Sequence, residues 1–200
     1  MVGDPDRQFF TELVQYHIGG QLKVAPEHSS NAALDKMGKP HIQTYKRFAN
    51  EFYKLTGQLG KEQYLVPYFM SSHPGSTMED AVELALFLKQ EHIHPEQVQD
   101  FYPTPGTVST CMFYTGMDPY TLQQVYVPKT AHEKAMQRAL LQYFQPKNRE
   151  LVIEALLLAG REDLIGTDKK CLVPPTPAYR ARLLQKQRTA HGSRKNLQGR

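Results

Sequence analysis

Three short runs rich in branched and aromatic residues, at 21–25, 63–70 and 97–102, are separated by segments whose apolar residues recur every three to four positions. That alternation constrains the chain more than any other feature. Antiparallel strands need only a tight turn between them, whereas parallel strands need a crossover of a dozen residues, usually a helix. Strand, helix, strand, helix, strand therefore predicts parallel βαβ units and an α/β fold. Ile42, Tyr45, Phe48, Ala49, Phe52 and Leu55 form one apolar stripe, closed by Gly57 and Gly60. Ser76-Thr77-Met78-Glu79 reads as a capping box opening a helix to about residue 91, apolar nearly all round and so buried on most sides. A helix from Asp4 and Pro5 to about His17 precedes the first strand, and a small one at 31–37 follows it. Three parallel strands form part of a barrel or an open sheet, and both outer strands keep an unpaired border that something upstream is expected to cover.

After Pro103 the pattern changes. Segments 110–114 and 124–127 are expected to pair as a ribbon around Gly116-Met117-Asp118-Pro119. Thr130-Ala131-His132-Glu133 forms a second capping box leading a helix to Phe144, and Pro146 starts another to Ala159. Pro174-Pro175-Thr176-Pro177 then reads as a stiff linker into a basic tail. Seven of the 24 Lys and Arg fall at 180–200, where no acid occurs, leaving 17 bases against 20 acids, or −3, for the rest. The formal +4 thus belongs to the tail, and the body is not a basic protein. The expected domains are 1–108, a half-barrel; 109–175, a ribbon and small helical region; and 176–200, a disordered basic tail.

Two cysteines, Cys111 and Cys171, supply neither a disulfide framework nor a zinc ribbon, which points to a reducing compartment. The start, Met1-Val2-Gly3-Asp4-Pro5, has no charged stretch leading an apolar one, and the longest apolar runs carry Glu83 and Glu154. The expectation is a cytoplasmic protein with no membrane span.

Ligands of parallel α/β folds sit beyond the carboxyl ends of strands. Those positions hold Pro26-Glu27-His28-Ser29, Ser71-Ser72-His73-Pro74-Gly75 and Tyr102-Pro103-Thr104-Pro105-Gly106-Thr107. Gly75 would allow close backbone approach, and the helix starting beside it offers free N–H groups to an anion. Ordinary turn chemistry gives such loops the same composition. Glu27 and His28 form either an acid/base pair or, on the blander reading, a solvated surface pair. His92 and His94 read as a surface loop rather than metal ligands, and Cys111 as a buried apolar thiol rather than a nucleophile. No phosphate loop and no G-x-G-x-x-G is present, which excludes the usual nucleotide kinases and dehydrogenases.

At the three rim segments the chain resembles a known family. Leu22-Lys23-Val24-Ala25-Pro26-Glu27-His28 followed by Ala33-Leu34-Asp35-Lys36-Met37-Gly38-Lys39-Pro40 is similar to a barrel segment of radical S-adenosylmethionine (radical SAM) enzymes. Ser72-His73-Pro74-Gly75-Ser76-Thr77-Met78-Glu79-Asp80 resembles their "GxPGETxED" turn, and Gln99 to Thr107 resembles a last barrel strand ending in "PxPGT". Residues 63–70, 109–112 and 133–143 narrow the likeness to the YgiQ-type branch, including its C-terminal domain of unknown function. The resemblance implies the second half of a (β/α) radical SAM barrel, with S-adenosylmethionine and a 4Fe-4S cluster as cofactors. A C-x3-C-x2-C loop holds the cluster in that family, and two cysteines cannot supply it, so a chain of this kind is expected to be inactive alone. The implied cofactor contacts are Lys23 and Glu27 at the amino-acid or ribose end, Ser71, Ser72 and His73 at the ribose or substrate, and Gln99, Tyr102 and Thr104 at the adenine edge. The implied partner is a separately encoded half carrying the cluster. The alternative is a non-catalytic module that binds RNA phosphates through Arg180, Arg182, Lys186, Arg188, Arg194 and Lys195.

Overall fold

The computed structural model describes residues 7–185. Its strands β1 (Gln21–Glu27), β2 (Tyr64–Ser71) and β3 (Gln99–Asp100) form a parallel sheet in the order β1-β2-β3. Between and around them lie α1 (Arg7–Glu12, widened over Leu13–His17 into a π turn), α2 (Asn31–Met37), α3 (Ile42–Gln58) and α4 (Met78–Gln90). Helices α5 (Val108–Thr115), α6 (Ala131–Leu141) and α7 (Arg149–Leu158) follow. The fold is mixed α/β, as the alternation requires.

Two prolines shape the sheet. Pro67 lies in the middle strand, where a missing N–H normally forbids proline. β3 pairs only with Met70 and Ser71, so β2 has a free border beside Pro67. On the other side Val24 pairs with Pro67 and Glu27 with Phe69, a bulge that places Pro26 where no ladder bond is needed.

Side chains alternate across the strands, and one face carries the core. Leu22, Val24 and Leu65 pack on Phe10, Val14, Phe48 and Phe52 of α1 and α3, while Phe69 packs on Leu34, Leu84 and Leu88. Full burial of each large side chain stabilises the fold by roughly 1.5–3 kcal/mol. On the other face of β1, Gln21, Lys23 and Ala25 stay exposed. A third cluster joins Met78, Val82 and Ala85 of α4 to Leu140 of α6 and Leu156 of α7. The helical region after residue 108 therefore shares its core with the βα units rather than standing apart.

Local chemistry overrides the reading of the sequence at three places. Segment 110–114 is not a ribbon strand: Thr107 caps a helix there by accepting the Thr110 N–H, and Gly116 closes it at φ 68° with its N–H on the Met112 carbonyl. A satisfied cap at each end outweighs the β-propensity of Thr110, Phe113 and Tyr114. Of the expected ribbon one antiparallel bridge remains, Met117 with Gln124. The third strand is shorter than expected: only Gln99 and Asp100 pair with β2, which itself ends at Ser71. Residues 177–185 are helical rather than disordered: the Thr176 hydroxyl accepts the Tyr179 N–H, its carbonyl accepts the Arg180 N–H, and Tyr179 is buried. The rest of the basic tail, where RNA binding is expected, and the expected cap at Asp4 lie outside the described residues. No helix among the described residues is long and apolar enough to cross a membrane.

Gly75 is held at φ 90°, with its N–H on the Tyr126 carbonyl at 2.7 Å. A Cβ there would lie 2.7 Å from Lys36 Cγ, and Lys36 forms a 2.7 Å ion pair with Asp118. Gly75→Ala is expected to lose about 1–2 kcal/mol in urea unfolding, from the left-handed backbone and the displaced lysine.

Candidate functional site

The three strands run the same way, so Glu27, the 71–73 corner and Tyr102 come to one rim. A cavity of about 390 Å³ opens there, lined by Glu27, His73, Gln99, Tyr102 and Thr104, with Met37, Met70 and Phe101 as apolar wall and Lys39 and Ser109 beside them. Five of the eight residues expected from the resemblance thus share one cavity. The other three do not line it. Ser71 donates to Asp100 at 2.5 Å and ties β2 to β3. Ser72 is fully buried behind the rim, and its hydroxyl has no hydrogen-bond partner among the described residues. Lys23 sits exposed on β1, four residues or about 13 Å of extended strand before Glu27.

The rim is conformationally unusual. Glu27 and Ser72 have φ of 66° and 64°, a left-handed conformation that side-chain-bearing residues rarely hold. Glu27 is the last residue of β1, and Ser72 directly follows the last residue of β2. Glu27 pairs with Lys39 at 3.4 Å, so one wall presents both signs of charge.

His73 is buried, its ring edge-on to Phe101 at 4.9 Å between centroids. Its Nδ1 lies 2.7 Å from the Pro74 carbonyl and its Nε2 2.8 Å from Ser109 Oγ. Burial lowers its pKa below the ordinary histidine value.

Behind this wall lies a polar network. His28, 1% exposed, accepts the Ser30 N–H on Nδ1 at 3.0 Å, so its Nε2 carries the proton and donates to Ser76 Oγ at 3.2 Å. Burial pushes its pKa down to about 4, with Asp80 opposing and His73 reinforcing the shift. Gln137 of α6, also fully buried, accepts the Ser72 N–H at 3.0 Å and donates to the Ser76 carbonyl at 2.8 Å. These bonds fasten the 71–76 corner to the helical region. His28 is therefore no surface partner of Glu27: the two point into different surroundings. Gln137 escapes a motif search; its one signal is an amide three and four residues before the apolar Leu140 and Leu141.

The remaining candidates separate. His92 and His94 are exposed, and no group of three metal-ligating side chains occurs among the described residues. Cys111 is exposed on α5, not buried as expected, because Met112 takes the inward position, while Cys171 is buried.

A family model described as a domain of unknown function (DUF3362) matches residues 96–199. A UPF0313 protein of Clostridium perfringens (strain 13 / Type A) is 57% identical over 173 residues, 86% of this chain and 26% of that protein. A UPF0313 protein of Clostridium botulinum (strain 657 / Type Ba4) is 54% identical over 171 residues, 86% of this chain and 27% of its own length. The chain spans about a quarter of the length of the curated relatives it matches. No solved structure matches it. The family match takes in β3, the cavity wall from Gln99 to Ser109 and all of the helical region, and the chain belongs to the family of this domain of unknown function.

Proposed function

We propose that this chain contributes the second half of a radical SAM (β/α) barrel and that the rim cavity takes S-adenosylmethionine. The convergence of Glu27, His73, Gln99, Tyr102 and Thr104 on one cavity at the carboxyl ends of parallel strands carries the reading. Two further observations support it. The strands are covered by helices on one face and expose Lys23 and Ala25 on the other, as staves of a barrel do. The relatives are about four times longer, which leaves room for a cluster-bearing half in the same protein or in a partner.

The residues present fit one cofactor and not the other. Cys111 and Cys171 are two thiols where a 4Fe-4S cluster of this type takes three, so no step is assigned to a cluster on this chain. For S-adenosylmethionine the match is good. Glu27 and Lys39 offer a carboxylate and an ammonium to the two charges of an amino acid, the Gln99 amide offers a donor and an acceptor to a purine edge, and Phe101 and Tyr102 offer apolar faces. When bound, S-adenosylmethionine supplies radical chemistry in the family this chain resembles. This chain's own residues bind and orient it and exclude water from the apolar wall.

Isothermal titration of the 200-residue chain with S-adenosylmethionine tests the reading. Saturable binding is expected, weakened about tenfold by Glu27→Gln or Tyr102→Ala, which corresponds to about 1.4 kcal/mol each. Absence of binding, or affinity indifferent to both changes, would contradict it.

A further inference from the structure

We propose that Ser109 and His73 are a nucleophile and its general base, and that the rim cavity accepts a carboxylic ester whose acyl group Ser109 takes up. The Pro74 carbonyl, 2.7 Å from His73 Nδ1, can only accept, so the proton of the neutral imidazole sits on Nδ1. Nε2 then presents its lone pair, and Ser109 Oγ donates to it at 2.8 Å. This is the tautomer and the direction of hydrogen bonding that an activated serine requires. The carbonyl takes the orienting place that a carboxylate fills in a triad.

The two residues also stand in the right order. His73 is 4% exposed and held edge-on to Phe101, so the ring cannot swing away. Ser109 is only half-buried and lines the cavity in front of it. Its position is rigid: the Thr104 carbonyl accepts both the Thr107 and Thr110 hydroxyls, and Thr107 caps α5, so the turn bearing Ser109 is pinned on either side. Burial keeps the imidazole neutral at neutral pH, which leaves the Nε2 lone pair free to accept a proton. Met37, Met70 and Phe101 give the acyl chain an apolar wall.

In the reaction, Ser109 Oγ bonds to the ester carbonyl carbon while its proton passes to His73 Nε2. The bond from that carbon to the alcohol oxygen breaks, and His73 returns the proton to the departing alcohol. Water, giving its proton to the same nitrogen, then cleaves the acyl-serine to a carboxylic acid and restores the hydroxyl. The assignment rests on the cavity and not on S-adenosylmethionine, and the two readings fail separately.

The test is treatment of the 200-residue chain with an alkyl fluorophosphonate, in which the serine oxygen displaces fluoride, followed by peptide mass spectrometry. Ser109 is expected to be modified ahead of every other serine, and His73→Gln to slow that modification about 100-fold, the scale of a lost general base. Ser109→Ala should remove the label while circular dichroism stays unchanged. Ser109→Cys provides a second readout: its alkylation by iodoacetamide should be slowed by adding His73→Gln. An unmodified Ser109, label spread evenly over the serines, or rates unaffected by His73→Gln would overturn the assignment.

Discussion

Gln137→Leu is expected to lower the unfolding free energy by about 3 kcal/mol in urea titrations, a large loss for a change that keeps side-chain size. Leucine fills the space of glutamine but can neither accept the Ser72 N–H nor donate to the Ser76 carbonyl. Both groups would stay buried, and each orphaned group costs roughly 1–3 kcal/mol. The effect should reach the cavity as well. The Ser72 N–H bond to Gln137 helps hold that residue at φ 64°, and His73 follows it directly. Phosphonylation of Ser109 should therefore slow in Gln137→Leu even under conditions where the variant is fully folded. A loss below 1 kcal/mol would mean that water or a shifted backbone satisfies the corner as well as the amide does.

Acid should destabilise the protein earlier than its carboxylates alone would require, and His28 is the reason. Its folded pKa is about 4 against 6.5 in an open chain, because burial disfavours the charged ring. Above pH 6.5 both states leave it neutral and its contribution is complete. Between pH 6.5 and about 4 the unfolded chain binds a proton that the folded protein refuses, so stability falls with pH by up to 1.4 kcal/mol per unit. The total is about 3 kcal/mol. His73, whose pKa is also lowered by burial, adds to the loss with the same sign. Urea titrations at pH 7.5, 5.5 and 4.5 should show wild type losing about 2.5 kcal/mol more than His28→Gln over that span. The comparison of slopes matters here, since the variant is also less stable at every pH. Equal slopes in the two proteins would place the missing proton elsewhere.

The two expectations concern residues of different legibility. His28 stands in a rim loop of the sequence and draws attention there, yet its neighbours suggest a solvated pair with Glu27. Only the fold shows that Ser30 and Ser76 close over it. Gln137 lies 61 residues from Ser76 and 65 from Ser72, and no local pattern connects them. Ser109 is similar: on the sequence it stands just before the expected strand 110–114, and in the fold a cap at Thr107 places it on a helix facing His73.

What the sequence determined by itself was the parallel α/β class, the helix cap at Thr130, a second cap placed one residue early at Ser76 where the structure has Thr77, and the set of loops that meet at one rim. These follow from periodicity, from cap chemistry within four residues, and from the rule that parallel strands end together. The tertiary structure alone decided which of those rim residues face a cavity, which protons sit on His28 and His73, and that α6 reaches back to hold the 71–76 corner. Such features depend on groups dozens of residues apart sharing a water-free space, where each hydrogen bond must find its partner. Local patterns carry no information about distant partners until the chain has packed.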